Sequence, residues 1–292
     1  MQSTRLLITG RTHELGDGFS VRRLLPHAQR RMVGPFVFLD HMGPAVFAPG
    51  SGIDVRPHPH IGLATVTCLF EGALRHRDSL GCVQDILPGD VNWMTAGRGI
   101  VHSERTPPAQ RAAGQRVHGI QTWVALPVDQ AECVPAFVHH AARDLPAWTE
   151  GGARLRLIAG NAYGRRAPVQ VLSPLFDVTC VAGPGAVFDL PAEHAERALY
   201  VLEGEVDLDD RTVRAGELAI ELGGTPGRLR AHTTVTALLF GGAPYGTPPH
   251  LWWNFVAAER ARIEQAKRDW REGRFGSVPG ETDFIPLPEP ER

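Results

Sequence analysis

The sequence contains few cysteines and no closely spaced pair of them. Its 292 residues include four cysteines, and no Cys-x-x-Cys motif occurs. They are Cys68, Cys82, Cys133 and Cys180. This scarcity excludes a dense disulfide framework and the usual thiolate zinc site. The N-terminal segment has neither the apolar stretch nor the cleavage site of a secretory signal, so we expect reduced thiols in a cytoplasmic protein.

An excess of charge of one sign is absent, and so are long apolar runs. The 30 Lys and Arg residues nearly balance the 32 Asp and Glu residues, giving a formal net charge of −2. Without a basic patch, we expect no direct nucleic-acid partner. No apolar run approaches the ~20 residues that span a bilayer, which argues against a membrane protein. The remaining composition, 43% hydrophobic and 21% charged, is that of a globular protein.

Short runs of Val, Leu, Ile, Phe and Thr are separated by many of the 32 Gly and 24 Pro residues. This pattern predicts an all-β fold of many short strands joined by turns. The run over 61–70 is apolar on both faces, which predicts a strand buried on both sides. Only residues 256–271 have helical spacing, with Ile263, Ala266 and Trp270 on one face, so we expect one short C-terminal helix.

An internal repeat divides the chain. The segment LFEGAL over 69–74 has an echo in VLEGEV over 201–206, and each copy is followed by a further glycine turn, at Gly89 and Gly216. Two copies of one β unit predict two similar domains. We place the N-terminal domain at 1–130 and the C-terminal domain, with the helix and tail, at 131–292.

Four residues of the first half are spaced as metal ligands. His58 and His60 form an H-x-H pair, and His102 and Glu104 form an H-x-E pair. Because side chains at i and i+2 share one face of a strand, each pair directs two ligands to one point. Three imidazoles and one carboxylate suit a divalent transition metal. The spacing therefore predicts a site for iron, manganese, nickel, copper, cobalt or zinc.

The second half lacks these ligands. Measured from the glycines of the repeat, the four ligand positions correspond to apolar residues in the second copy. They are Leu190, Ala192, Leu229 and Ala231. We therefore expect one metal site, in the N-terminal domain only.

Residues near the four ligands carry weaker signals. His76 is a candidate for lining the pocket or holding a ligand in place, although a surface position is equally consistent with the sequence. Asp78 and Arg98 are candidates for ordering the loops around the site, with simple turn or ion-pair roles as the alternative. Gly97 and Gly99 precede the second ligand pair, and we expect them to permit positive φ or a close backbone approach.

The longer strings around these residues resemble the pirin family of the cupin superfamily. They are HPHIGLATVTCLFEG (58–72), RHRDSLG (75–81), PGDVNWMTAGRGIVHSE (88–104) and GIQTWVALP (119–127). The cupin motif expects a glutamate shortly after the H-x-H pair, and Thr65 occupies that position. Glu104 takes its place after His102, which is the pirin variant of the motif. The resemblance is dense over 16–130 and weaker over the second half.

This resemblance implies a bicupin, with two face-to-face jelly-roll β-barrels and a metal in the N-terminal barrel. His58, His60, His102 and Glu104 would be its ligands, and iron(II) would be the expected ion. Some pirin-like proteins are quercetin 2,3-dioxygenases, which cleave a flavonol with dioxygen and release carbon monoxide. Glu104 is then the candidate catalytic base, acting on the substrate's 3-hydroxyl.

The resemblance also implies an alternative that is not enzymatic. Animal pirins are iron-dependent transcriptional co-regulators, so a metal-binding regulator that acts on a protein partner is the second hypothesis. The absence of a basic patch ranks it below the dioxygenase. The sequence leaves the choice between a monomer and a dimer open.

Overall fold

The computed structural model of the chain describes residues 4–16, 19–223 and 227–289, and most of them lie in strands. The strands of the first half are β1 (Thr4–Thr9), β2 (Arg11–Gly16), β3 (Phe19–Leu25), β4 (Phe36–Phe47), β5 (Asp54–His60), β6 (Leu63–Glu71), β7 (Leu74–Asp78), β8 (Val83–Ile86), β9 (Val91–Thr95), β10 (Ile100–Arg105), β11 (Gln115–Ala125) and β12 (Ala136–His140). The later strands are β13 (Ala147–Glu150), β14 (Ala153–Ala162), β15 (Arg165–Arg166), β16 (Leu175–Ala182), β17 (Val187–Leu190), β18 (Glu196–Glu203), β19 (Glu205–Leu208), β20 (Arg211–Arg214), β21 (Glu217–Leu222), β22 (Gly227–Ala231), β23 (Val235–Gly242), β24 (His250–Trp252) and β25 (Phe255–Ala257). The α-helices are α1 (Pro108–Ala113) and α2 (Arg260–Arg271), with short 3-10 turns at Val128–Gln130 and Ala142–Asp144. The predicted all-β fold with a short C-terminal helix is confirmed.

The chain forms two compact units that interleave along the sequence. The histidine unit consists of Gly16–Phe19, Met42–His139 and Thr247–Arg292. The apolar unit consists of Met1–Leu15, Ser20–His41 and His140–Gly246. The C-terminal helix and tail therefore cluster with the histidine unit, whereas the sequence grouped them with the C-terminal domain. The boundary after residue 130 stays a prediction of where the two domains meet.

The histidine unit contains the four-stranded antiparallel sheet β5-β10-β7-β8, the two-stranded sheet β24-β25, and strands β12-β9-β6-β11-β4 of a seven-stranded antiparallel sheet. Strand β6 lies between β9 and β11 and is buried from Leu63 to Leu69. Its run of apolar and β-branched residues fits a central strand that is covered on both faces. The prediction of a strand buried on both sides is confirmed.

The C-terminal helix begins four residues later than its periodicity predicts. Val256 pairs with Leu251 in the hairpin of β24 and β25, so the apolar residues before α2 join a sheet instead of the helix. The helix buries Ile263 and Ala266 in a small core shared with Ile61 and Phe255. Among the described residues, neither helix is both long and apolar enough to cross a membrane.

The apolar unit also contains two antiparallel sheets. Their orders are β1-β21-β18-β23-β16-β14-β13, with β15 beside β14, and β17-β22-β19-β20. Inward side chains from these strands form an apolar core that includes Leu190, Leu229 and Ala231. Ala192 is exposed. Three of the four positions that correspond to ligands in the first half are thus occupied by residues that pack in the apolar core.

Candidate metal centre

Strands β5 and β10 bring three histidines together. His102 lies directly opposite His58 in the antiparallel register, and His60 lies two residues further along β5. Each histidine contributes one ring nitrogen, and these three nitrogens lie within 4.8 Å of one another. All three side chains are buried. In the part of the chain that the structure describes, no other such group of metal-ligating side chains occurs.

Backbone carbonyls determine which nitrogen of His58 and His60 carries the hydrogen. The Nδ1 atom of His58 lies 2.8 Å from the carbonyl oxygen of Arg56, and that of His60 lies 3.2 Å from the carbonyl oxygen of Asn254. A carbonyl oxygen only accepts, so Nδ1–H must donate in both rings. The Nε2 atom of each neutral ring then carries a free lone pair.

His102 is held by a chain of side chains on β7. Its Nδ1 lies 3.4 Å from Nδ1 of His76, and Nε2 of His76 lies 2.9 Å from Oδ2 of Asp78. The other oxygen of Asp78 accepts the backbone N–H groups of Leu80 and Cys82. Because an ionised carboxylate only accepts, His76 donates from Nε2, and in a neutral ring its Nδ1 then accepts. His102 therefore donates from Nδ1 and directs the lone pair of Nε2 toward the other histidines.

Burial favours the neutral form of these rings. It is the main cause that lowers the pKa of His58, and it lowers the pKa values of His60 and His102 well below the ordinary value. The hydrogen bonds from His76, Cys82 and Leu80 lower the pKa of Asp78 despite its burial, so the chain ends on a carboxylate. Neutral imidazole is the form that binds a metal ion.

The donor set fits a divalent transition metal. The Nε2 atoms of His60 and His102 lie 3.1 Å apart, and two lone pairs at that distance repel each other unless a cation lies between them. Two nitrogens bound at ~2.1 Å and at right angles to one ion would be ~3.0 Å apart. The two nitrogens are thus already spaced as neighbouring ligands of one ion. Imidazole suits iron, copper, nickel and zinc.

Glu104 lies outside the group of three histidines. Its two oxygens accept hydrogen bonds of 2.9 and 3.0 Å from the amide of Gln121, and Thr67 donates to Oε1 at 3.3 Å. The charge of Glu104 still acts on the site, because it raises the pKa of His58 against the larger effect of burial. The structure therefore brings three of the four predicted ligands together, and coordination by Glu104 stays a prediction.

The two weaker predictions have different outcomes. His76 is buried next to the group, hydrogen-bonded as described and stacked on Phe137 with ring centroids 4.1 Å apart. Arg98 is exposed, and its described hydrogen bonds use its backbone, so its role near the histidines stays a prediction. Sequence reasoning missed Gln121 and Asn254. The only available signal for Gln121 was its place in the family-like string GIQTWVALP.

Sequence comparison places these observations in a family. The profile described as Pirin matches residues 18–124, and the profile described as Pirin C-terminal cupin domain matches residues 175–276. A pirin-like protein of Caulobacter vibrioides is 48% identical over 289 residues, which cover 97% of this chain and 99% of that protein.

Solved structures show the same architecture. A quercetin 2,3-dioxygenase from Acinetobacter baumannii superimposes with a TM-score of 0.91 at 34% identity, covering 99% of this chain and 96% of that chain. A bacterial pirin from Escherichia coli, solved in complex with nickel(II), has a TM-score of 0.65 at 17% identity, covering 82% of this chain and 100% of that chain. The second likeness supports the fold alone.

Proposed function

Because this chain belongs to the pirin family, we propose that it is a metal-dependent dioxygenase that cleaves flavonols such as quercetin, with iron(II) as its ion. The observation that carries the proposal is the group of three buried histidines, each bonded at Nδ1, whose other ring nitrogens converge. The likeness to a quercetin 2,3-dioxygenase over nearly the whole chain supports the substrate class.

The three histidines are the proposed ligands, and each is fixed by a partner on its other nitrogen. When bound, the ion supplies Lewis acidity toward the flavonol 3-hydroxyl and redox chemistry toward dioxygen. The carbonyl groups of Arg56 and Asn254 and the ring of His76 hold the ligand rings in the required tautomer. Such outer partners orient ligands and raise their basicity.

Glu104 is the proposed base that takes the proton of the flavonol 3-hydroxyl. A carboxylate has about four acceptor sites. Gln121 uses one site on each oxygen, and Thr67 uses a second site on Oε1. One site on Oε2 remains for the substrate hydroxyl. Gln121 thus positions the carboxylate without consuming its capacity to accept a proton.

The overall reaction defines what must be measured. One molecule of dioxygen adds to the deprotonated flavonol, two carbon–carbon bonds of the heterocyclic ring break, and the carbon between them leaves as carbon monoxide. The remaining product is an ester of two phenolic acids. Substrate, dioxygen and products balance without a further reductant.

The test is anaerobic loading of the apoprotein with iron(II), followed by quercetin and air. We expect the flavonol absorption band to bleach, with one carbon monoxide released per quercetin consumed. His102→Ala should abolish both signals. His232→Ala is the matched control, because His232 is partly exposed in the apolar unit and pairs with Asp207.

Two results would count against the proposal. Absence of bleaching and of carbon monoxide with iron, manganese, cobalt, nickel, copper and zinc would refute flavonol cleavage. Tight metal binding without any turnover would instead favour the alternative of a metal-binding regulator, which a search for partners of the iron-loaded protein would then address.

A further inference from the structure

The C-terminal segment 247–289, here called the strap, contacts the strands that bear the histidines. Its Asn254 carbonyl accepts the hydrogen of His60. Its Glu281 accepts from Ser103 at 2.9 Å and from Arg105 at 2.6 to 3.1 Å. The amide of Ile285 donates to the carbonyl of Pro57 at 2.8 Å. Each of the three histidines is therefore bonded by the strap or lies next to a residue that is.

The strap acts on the outer face of β10. Ser103 and Arg105 alternate with His102 and Glu104 along this strand, so the two pairs point to opposite faces. The Glu281 carboxylate is nearly buried, with 8% of its side chain exposed. Glu281 thus binds both outward-facing residues of the strand whose inward side carries a proposed ligand and the proposed base, and Asp283 of the strap adds a bond of 3.0 Å from Arg105 alone.

A cavity of about 240 Å³ lies between the strap and strands β5 and β10, and its walls include Pro57, Val101, Trp270, Val278 and Phe284. Pro57 and Val101 are the immediate neighbours of His58 and His102 in the chain.

The strap is anchored independently of Glu281. Phe255, Ile263 and Ala266 form a buried core with Ile61, which follows His60 in the chain. Trp270 also donates from its ring nitrogen to the carbonyl of Ile285 at 3.0 Å. A change at Glu281 should therefore leave the strap folded and alter only its hold on β10.

From these contacts we infer that Glu281 is a positioning residue of the metal centre, acting through Ser103 and Arg105 on the strand that carries His102. The inference rests on the proposed metal-binding function. According to this inference, metal affinity depends on the strap as well as on the three ligands.

The test measures cobalt(II) affinity of the full-length apoprotein by titration, together with the visible spectrum of the loaded protein. Glu281→Gln should weaken binding about tenfold, the lower end of the effect of lost outer partners, and should shift the cobalt absorption bands. Ser103→Ala should act in the same direction. Glu264→Gln is the control, because Glu264 lies in the same strap and pairs with Lys267 instead. The cobalt affinity of this variant should stay within twofold of that of the wild type.

The outcomes separate the two levels of the proposal. A wild-type chain that binds no cobalt would refute the proposed function, and the inference would fail with it. A wild-type chain that binds cobalt tightly, with unchanged affinity and spectrum in Glu281→Gln, would refute the inference alone. The cobalt spectrum of the loaded protein distinguishes the two explanations of weaker binding. A change in ligand positions shifts the absorption bands, whereas a general loss of stability leaves the bands unchanged.

Discussion

Replacing Asp78 with asparagine should weaken metal binding, although the carboxylate of Asp78 bonds His76, Leu80 and Cys82 and none of the proposed ligands. The asparagine keeps the shape of the side chain and an oxygen that can accept from Leu80 and Cys82. Its amide group then faces Nε2 of His76, where a donor meets a donor. His76 must move its hydrogen to Nδ1, and that hydrogen then faces the Nδ1–H of His102. Either one hydrogen bond is lost or His102 moves its hydrogen onto the nitrogen proposed to bind the metal.

The size of the effect follows from this conflict. A buried donor left without its acceptor costs ~1–3 kcal/mol. Since ~1.4 kcal/mol corresponds to tenfold in affinity, we expect the metal dissociation constant to rise by roughly 10- to 100-fold, in agreement with typical losses of outer partners. Asp78 has no exposed surface, so water does not restore the missing acceptor.

The assay is competition with a chelator of known affinity for cobalt(II) or nickel(II), monitored on apoproteins whose circular dichroism matches the wild type. Asp85→Asn is the control, because Asp85 lies on the neighbouring strand β8 and pairs with Arg75 outside this chain of hydrogen bonds. Equal metal affinity in Asp78→Asn and Asp85→Asn would refute the reasoning.

Three further predictions address the base, the buried charge and the core. Glu104→Gln should lower the rate of quercetin cleavage by at least about 100-fold, and a rate close to that of the wild type would contradict the role of Glu104 as base. Elemental analysis of the same variant tests the predicted coordination, because bound metal is lost with a ligand and kept with a base alone. Burial raises the pKa of Asp177 from 3.8 to about 7, so its ionisation opposes folding and the free energy of unfolding should fall as pH rises from ~4 to 7. Asp177→Asn should remove this pH dependence, and at pH 8 its free energy of unfolding should exceed that of the wild type by up to ~4 kcal/mol. Urea unfolding measures both quantities, and pH profiles that run parallel in the variant and the wild type would contradict the prediction. Leu239 lies in the core of the apolar unit. Leu239→Ala should lower the free energy of unfolding by ~2–5 kcal/mol in the same assay and leave metal affinity unchanged. A smaller loss would mean that the core relaxes around the shortened side chain.

Local patterns sufficed for the fold class and for the three histidines. The two-residue spacing of His58 and His60 needs only the alternation of a strand to direct both rings to one face. The prediction that Gly97 allows a close backbone approach is confirmed, because its φ is 52° and a Cβ atom there would lie 2.0 Å from the carbonyl oxygen of Cys133. Such a position excludes any larger residue without a shift of the backbone.

The surroundings of the site depend on contacts that no local pattern reveals. Gln121 lies 17 residues from Glu104 and reaches it from a different sheet. Asn254 lies 194 residues from His60 and contributes only a backbone carbonyl, which any residue type would supply. The start of α2 differed for a related reason, since strand pairing of Val256 prevailed over a helical periodicity that continued through it.

Anomalous diffraction at the iron edge, from crystals loaded with iron(II) under anaerobic conditions, tests the central claim most directly. The expected result is one peak per chain at bonding distance from a ring nitrogen of each of His58, His60 and His102. A loaded crystal with no peak among these three rings, or with its iron bound elsewhere in the chain, would contradict the account.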